Sequence, residues 1–312
     1  MNLVSRSFFQ ALFKFLLCFT IQSTISVIYA KYPLRTWTSS DDKTIQARFV
    51  EEQNGKIIIK REDGRQFKVL LDKFSPVDQE YVRAQIFDPN LGLVAWYPFN
   101  GNAQDESGNG HHGKVNGATL CKDRKGKDDS AYNFDGVDDF IRIANSDFMN
   151  PSSISISCWY AGTKSFEGCG TNVLVQKPYL SHKPPFYQWQ LAIGGDKYPN
   201  YKGKFLFATN AMNTGQSVFF MGKEKVINVW NHLISIVDAR AQKCKICLNG
   251  QVMSQYFWPD YKMGSYQTDI FIAKHGNITG TKTYTPGEID DVRLYERALS
   301  EEEILSLYQL EK

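Results

Sequence analysis

From residue 93 onward the chain repeats one pattern, a short run of β-branched and aromatic residues closed by Gly, Asn, Asp or Pro. The runs are "LVAWYPF", "AYNFDG", "DFIRIA", "SISISCWYAG", "NVLVQK", "YQWQLAIGG", "KFLFATN", "WNHLISIVDA", "KCKICLNG", "DIFIAKH" and "EIDDVRLY". No amphipathic helix separates them, so the pattern predicts an all-β antiparallel sandwich and not alternating βα units. On "YQWQL" the period of two places Tyr187, Trp189 and Leu191 on an inner face and Gln188 and Gln190 on the outer one. One helix is predicted, at the end, over "LSEEEILSLYQL". Ser300 and Glu303 form its capping box, Leu299 staples onto Ile304, and Ile304, Leu307 and Leu310 should pack onto the end of the sandwich.

Residues 31–86 carry a different and tighter pattern. Strand-like runs in "RTWTSSDDKTIQARFVEEQNGKIIIKREDGRQFKVLL" turn at Asp41-Asp42, Asn54-Gly55 and Asp63-Gly64, the last two being strong hairpin signals. "SPVDQEYV" then opens a helix with Ser75 as cap and Pro76 in the first turn. A small β-barrel is expected here. "FDPNLGL" has linker composition, which gives a linker over 87–92 and a second domain over 93–312.

Residues 1–30 read as a secretory signal. Arg6 and Lys14 supply positive charge, "FLLCFTIQSTISVIYA" the apolar stretch, and Ala30 the small residue at the cut. Ser, Thr and Gln interrupt that stretch, which argues against a membrane span. The protein is therefore expected to be secreted or held in the periplasm or cell envelope, with no membrane insertion after signal removal.

Composition changes the picture at two points. The 312 residues are 42% hydrophobic and carry a net charge of +3, and two of those positives lie in the leader. A near-neutral mature chain has no electrostatic pull toward nucleic acid, so that partner class is excluded. Five cysteines follow the leader: Cys121, Cys158, Cys169, Cys244 and Cys247. "CKIC" lies on a predicted strand, where residues three apart face opposite ways, so Cys244 and Cys247 cannot share a metal or a disulfide.

Three motifs taken in order carry a resemblance: "LVAWYPFNGNAQDESGNGHHGKVNGATL", "AYNFDGVDDFIRIA" and "GEIDDVRLYERALSEEEI". Over residues 93–311 the chain resembles the laminin-G-like, concanavalin A-like jelly roll, which implies two curved antiparallel sheets packed face to face. Over 35–84 it resembles the Sla-type homology module, an SH3-like barrel. In yeast endocytic adaptors that module binds short peptides, whereas here a spacer or docking role is expected.

The stretch "DESGNGHHG", residues 105–113, needs a separate account. It is no phosphate loop, because no helix follows it. Gly108, Gly110 and Gly113 suit a backbone turning with positive φ, and His111 and His112 are adjacent and face apart. Calcium is the sharper expectation, since a hard cation takes carboxylate and carbonyl oxygens. Its ligands would be Asp105, Asn109, Asp290 and Asp291, and the jelly-roll resemblance implies a structural ion in such a place. The pentraxin type of calcium site is not expected, because "FIAKHGN" offers Lys274, His275, Gly276 and Asn277 where acids are needed.

Catalysis is not expected either. The glycosidases of this fold carry Glu-x-Asp-x-Glu on one strand face, and a retaining mechanism needs two carboxylates about 5–5.5 Å apart. "EIDDV" supplies Glu288 and Asp290 but places Val292 third. No G-x-S-x-G elbow and no H-E-x-x-H occurs, and His232 reads as structural. Binding is the remaining class. "KPYLSHKPPFYQWQ" and "YFWPDYKMGSY" carry aromatics on loops, and Tyr179, Gln188, Gln190, Trp258 and Tyr261 are the expected ligand contacts. The expected function is an exported, lectin-like module recognising carbohydrate or an extracellular protein. A surface-assembly scaffold is the alternative, and a glycoside hydrolase ranks behind both.

Overall fold

The computed structural model describes residues 32–162, 170–179, 187–197, 199–210, 217–224, 229–276 and 283–312, the side chains of 217–224 excepted. Residues 1–30, expected to be a secretory signal, lie outside these residues, as do Cys169, His182, Phe186 and Asn277. Among the described residues no helix is long and apolar enough to cross a membrane. The chain divides into two compact units, 1–87 and 88–312.

The first unit is an antiparallel meander of four strands: β1 (Leu34–Thr38), β2 (Thr44–Gln53), β3 (Lys56–Lys60) and β4 (Gln66–Leu70). The β2–β3 hairpin turns at Asn54 and Gly55, both at positive φ, as a two-residue connection between right-twisted strands demands. Helix α1 (Pro76–Ile86) follows, and the Ser75 side chain accepts from the Asp78 amide. Alternate residues of the sheet, Trp37, Ala47, Phe49, Ile57 and Ile59, meet Phe74 and Val82 in a core of their own.

Among the described residues the second unit has fifteen strands: β5 (Leu93–Tyr97), β6 (Gly113–Asn116), β7 (Thr119–Cys121), β8 (Ala131–Asp135), β9 (Phe140–Ile143), β10 (Ile154–Ala161), β11 (Thr171–Pro178), β12 (Tyr187–Gly194), β13 (Lys204–Asn210), β14 (Ser217–Glu224), β15 (Asn231–Asp238), β16 (Lys243–Leu248), β17 (Gln251–Phe257), β18 (Ile270–Ile272) and β19 (Pro286–Tyr295). They form two antiparallel sheets. One runs β17-β16-β15-β10-β19-β8-β7 with β5 also paired to β19, and the other runs β14-β13-β12-β11-β18-β9-β6. Ile154, Ile156, Cys158 and Tyr160 of the first share a core with Trp189, Leu191, Ile193, Phe205 and Phe207 of the second. The all-β jelly-roll sandwich expected from the alternation is the fold observed.

Chain order scatters across these sheets. β18 bridges β9 and β11, and β19 lies between β8 and β10, so each sheet joins early and late segments. β19 also carries a bulge, with Asp291 at φ 47 between the pairs Ser157↔Arg293 and Trp159↔Asp290. Gly287 sits on the same strand at φ 131, where an added Cβ would stand 2.7 Å from the Ala161 carbonyl oxygen. Gly287→Ala is expected to destabilise the sandwich by about 2–3 kcal/mol, read from a urea midpoint at unchanged slope.

Helix α2 (Glu301–Glu311) has the predicted capping box between Ser300 and Glu303. Its placement differs from expectation. Ile304 and Leu307 are buried, but Leu310 is 56% exposed and Glu311 only 3%. The helix lies on the outer face of the eight-stranded sheet, where Tyr308 stacks on Trp159 and His232. That face presents buried donors, Arg293 Nε and Trp159 Nε1, from which the Glu311 carboxylate accepts, so the turn settles on Glu311 and leaves Leu310 outward.

Cys121, Cys158, Cys244 and Cys247 are free thiols. Cys244 joins the core, while Cys247 lies on the outer face near Glu301, so the expectation of opposite faces holds. Burial pushes both thiols up to about 12, which makes them small hydrophobes and poor nucleophiles.

Candidate ligand-binding face

The seven-stranded sheet turns one face to the core and the other away from it. On β12, Trp189 and Leu191 are core residues, so Gln188 and Gln190 point outward as the alternation requires. They are not, however, an open polar surface. Gln188 is 0% and Gln190 1% exposed. Gln190 Oε1 accepts from Gln176 Nε2 at 2.6 Å, Gln176 Oε1 accepts from the Gly276 amide at 2.7 Å, and Gln188 Oε1 accepts from the Tyr266 amide at 3.1 Å. The carboxamides tie β11 and β12 to the segments that cross this face.

The predicted aromatic contacts gather at the same end. Tyr179 meets Tyr266 edge to face at 4.7 Å. Trp258 packs on Tyr261 at 4.9 Å, and Tyr261 is buried, with its hydroxyl 2.6 Å from Thr209 Oγ1. Thr209 donates to the Gln188 carbonyl oxygen, so its single proton is used and Tyr261 is the donor. Tyr179, Gln188, Tyr261 and Trp258 are thus linked through Tyr266 and Thr209, two residues the sequence pattern did not single out. Tyr261 was expected on the surface but serves the core. An aromatic after Trp-Pro-Asp in a loop gives no sign of which way its ring turns.

The exposed part of the face lies at the opposite end, on β6, β9 and β18. Ile141, Ile143, Ile270 and Ile272 fill the core, which leaves Phe140, Arg142 and Phe271 outward. The register sets one row across the sheet: Lys114↔Arg142↔Phe271↔Gln176↔Gln190. Lys274 reaches over the rings, its Nζ 4.2 Å from the Phe140 centroid, 5.2 Å from Phe271 and 5.6 Å from Tyr284. Phe140 in turn lies 6.1 Å from both Phe271 and Tyr284. Partial burial, with Arg142 nearby, holds the Lys274 ammonium below its ordinary value. Sequence reasoning noted Lys274 only as a missing acid. The alternation of "FIRI" and "IFI" could have found Phe140, Arg142 and Phe271, but the pairing of β9 with β18 spans too long a chain interval to be read from pattern.

The four expected calcium ligands are placed otherwise than a cation cradle needs. Asp105 Oδ1 accepts the amides of Trp96 and Ser107, and Oδ2 accepts that of His111, each at 2.9 Å. Burial raises its carboxyl, but these amides outweigh it and hold the group below its usual range. The Asn109 carboxamide donates to the carbonyl oxygens of Leu93 and Val94. Asp290 and Asp291 both take hydrogen bonds from Arg124. Trp96 lies between the two sets, with its backbone amide on Asp105 and its indole on Asp291 at 2.7 Å. As placed, the carboxylates are committed to amides and guanidinium and do not fit a shared calcium.

Gly108 and Gly110 have the positive φ expected of that loop, whereas Gly113 does not. Gly113 is needed for space, because a Cβ there would meet Ile141 at 2.8 Å and the Ala103 carbonyl oxygen at 2.9 Å. Among the described residues, the acids whose oxygens do converge are Asp135, Asp138 and Asp139. Asp135 accepts the amides of Val137 and Asp138, and Asp139 accepts that of Asp135, so the cluster closes its own hairpin.

Two arrangements have the ingredients of hydrolysis. The bulge at Asp291 shifts the parity of β19, so Ile289 and Val292 both face the core. The residue that follows Glu288 and Asp290 on the outer face is Arg293, not Val292, and Asp290 is tied to Arg124. Ser157, His232 and Glu311 also meet, with Ser157 Oγ 2.7 Å and Glu311 Oε2 3.2 Å from the same His232 Nε2. A triad needs the acid on one ring nitrogen and the nucleophile on the other. Here both use one nitrogen, and Ser157 and His232 are fully buried.

Two curved antiparallel sheets, a shared apolar core and a closing helix on the outer face define a jelly-roll sandwich of the lectin type. The sequence model of the concanavalin A-like lectin/glucanases superfamily, laminin G type, matches residues 135–305. The match spans more than half of the chain, and the protein belongs to that family. No curated protein sequence matches. Similar folds occur in the binding domain of Paraclostridial Mosquitocidal Protein 1, at TM-score 0.57 and 16% identity over 70% of this chain and 52% of that one. Domain 4 of the extracellular arabinanase AbnA from Geobacillus stearothermophilus, in complex with arabinotriose, has TM-score 0.52 and 18% identity over 70% and 98%. The botulinum neurotoxin serotype D ligand-binding domain, in complex with N-acetylneuraminic acid, has TM-score 0.54 and 16% identity over 73% and 53%. The chain thus spans about half the length of the toxin domains.

Proposed function

We propose that the protein is an exported, non-catalytic binding protein whose jelly roll recognises carbohydrate. The observation that carries this reading is the outer face of the seven-stranded sheet. There, Phe140, Phe271 and Tyr284 stand beside Lys114, Arg142 and Lys274. Aromatic rings stack on the C–H faces of sugars, and side-chain donors meet the oxygens. The arabinanase domain, matched over 98% of its length, is in complex with arabinotriose, and the neurotoxin domain, matched over 53%, is in complex with N-acetylneuraminic acid; the first supports a sugar ligand here. Export rests on the leader pattern of residues 1–30, and the SH3-like unit before residue 87 is a docking or spacer module. The acids of β19 and the Ser157–His232–Glu311 set support the non-catalytic assignment by their bonding. A glycan array probed with the full chain, in calcium and in chelator, tests the proposal. Discrete glycan hits in both conditions are expected, and an array blank in both would sink it.

A further inference from the structure

We infer that the open end of the β6–β9–β18 face selects glycans bearing a carboxylate on the sugar ring, the uronic-acid class. This deepens the carbohydrate-binding proposal and rests on it. The argument begins with charge. Among the described residues Lys274 Nζ has no carboxylate partner. Its neighbours are the rings of Phe140, Phe271 and Tyr284 and the guanidinium of Arg142. A partly desolvated ammonium facing rings, with a like charge beside it, is a cation left without its counter-ion. Cation–π attraction offsets part of that cost. A bound anion would offset the rest.

The neighbouring cations extend the same sign. Lys114 is exposed and makes no side-chain hydrogen bond or ion pair among the described residues. Arg142 is held by Asp269, which engages its Nε and Nη2 and is itself fixed by the Asn145 amide at 2.9 Å. One acid therefore positions the guanidinium, and the side chain stays 54% exposed. Three cations meet one carboxylate at this site, so an excess of positive charge remains. Electrostatic complementarity then favours an anionic partner over a neutral one.

The rings decide which kind of anion. Lys114, Arg142 and Phe271 stand in register on adjacent strands, about 5 Å from one to the next. A ligand lying across them would put a flat apolar face on Phe271, beside the Phe140 ring that Lys274 covers, and an acid on the cations in the same residue. A pyranose whose ring carries its own carboxylate has both features within one monosaccharide. A phosphate or a free inorganic anion has only the second, and a neutral hexose only the first.

The test uses the full chain and two unsulfated probes, an oligogalacturonate and a hyaluronan hexasaccharide. Each is compared with its carboxyl-reduced form by calorimetric titration at low and at high salt. At least one acidic probe is expected to bind tenfold or more tighter than its reduced form, with affinity falling as salt rises. Lys274→Met and Arg142→Gln should each lower that affinity about tenfold. Phe271→Ala should weaken the acidic and reduced forms alike, and Lys56→Ala in the first unit should change nothing. Thermal melts of each variant establish that the fold persists. Equal binding of acidic and reduced forms, or a preference for a sulfated neutral galactan, overturns the carboxylate assignment while leaving carbohydrate binding in place. Absence of any glycan hit on the array removes both.

Discussion

Glu311→Ala is expected to lower the unfolding free energy by about 3–5 kcal/mol, the range for removing one partner of a buried ion pair. The carboxylate sits on the outer face of the eight-stranded sheet and is almost wholly enclosed. Arg293 Nε donates to its Oε1 at 2.6 Å, Trp159 Nε1 to its Oε2 at 2.7 Å, and His232 Nε2 lies 3.2 Å from Oε2. Arg124 Nε also donates to the Glu311 carbonyl oxygen, and its guanidinium stacks over Trp159. Alanine would leave a guanidinium, an indole and an imidazole facing an apolar gap, and the last turn of α2 would lose its hold on the sheet. Glu311→Gln keeps an acceptor for Arg293 or Trp159 but removes the charge, so it should cost roughly half as much. The double change Arg293→Met with Glu311→Leu should recover part of the loss, because it removes both buried charges together. Urea unfolding of the full chain measures all three, and equal stability of wild type and Glu311→Ala would show that the helix is held by Ile304 and Leu307 alone.

The same network gives stability a pH dependence of opposite signs at its two ends. Burial pushes the Glu311 carboxyl up, but His232, Arg293 and Trp159 outweigh it and hold the group at about 2 against an ordinary 4.5. A group depressed in the folded state adds stability above its unfolded value and loses it as pH falls. The Glu311 contribution should therefore be complete above about 4.5 and disappear toward 2. Asp290 behaves in reverse. Its burial and the adjacent Asp291 carboxylate raise it to about 8 from 3.8, and Arg124 only partly offsets them. Its contribution is complete below 3.8 and is lost as pH rises through 8. Asp290→Asn should flatten the fall in stability between about pH 3.8 and pH 8 and leave the loss toward pH 2 unchanged.

These features differ in how far the sequence discloses them. The alternation on "ISISCW" and "YQWQLAI" fixes which residues enter the core, because a strand has only two faces and one of them must be apolar. The capping box of α2 is legible for a similar reason, since Ser300 and Glu303 satisfy each other's backbone across one turn. What the pattern does not contain is a residue that breaks parity. "EIDDVRL" reads as regular alternation, yet Asp291 takes a left-handed φ, and Val292 and Arg293 exchange faces. The bulge exists because Arg124, Arg293 and Trp96 gather around Asp290 and Asp291, and Arg124 is 166 residues away from Asp290. The same holds for the candidate face. Phe140 and Phe271 are each visible as outward residues of short strands, but only tertiary pairing of β9 with β18 makes them one surface under Lys274. The alternation places Gln188 and Gln190 on the outer side of their strand, opposite the core residues Trp189 and Leu191. Their burial depends on Tyr266 and Gly276 arriving from a later segment.

Asp105→Ala is the second large effect, and it separates two roles for the glycine-rich loop. The carboxylate gathers the amides of Trp96, Ser107 and His111, which belong to β5 and to the loop that returns from it. Around it, Ser107 donates to Val94, Asn109 to Leu93 and Val94, and Tyr97 to the His111 carbonyl oxygen at 2.6 Å. With alanine, three partly buried amides lose a charged acceptor at once. The expected cost is about 3–5 kcal/mol, since bonds to a charged partner are worth about 1.5–3 kcal/mol each and do not add fully. Asp105→Asn should be nearly as damaging, because its amide group would direct two protons toward groups that are themselves donors. A carboxylate that closes a turn stabilises regardless of metal, whereas a metal ligand stabilises in proportion to the logarithm of metal concentration. The melting temperature of the wild-type chain should therefore be the same in calcium and in chelator, and Asp105→Ala should lie below it by the same margin in both. A wild-type melting temperature that climbs with calcium, and a variant that ignores it, would place a cation at Asp105 and refute the turn-closing role.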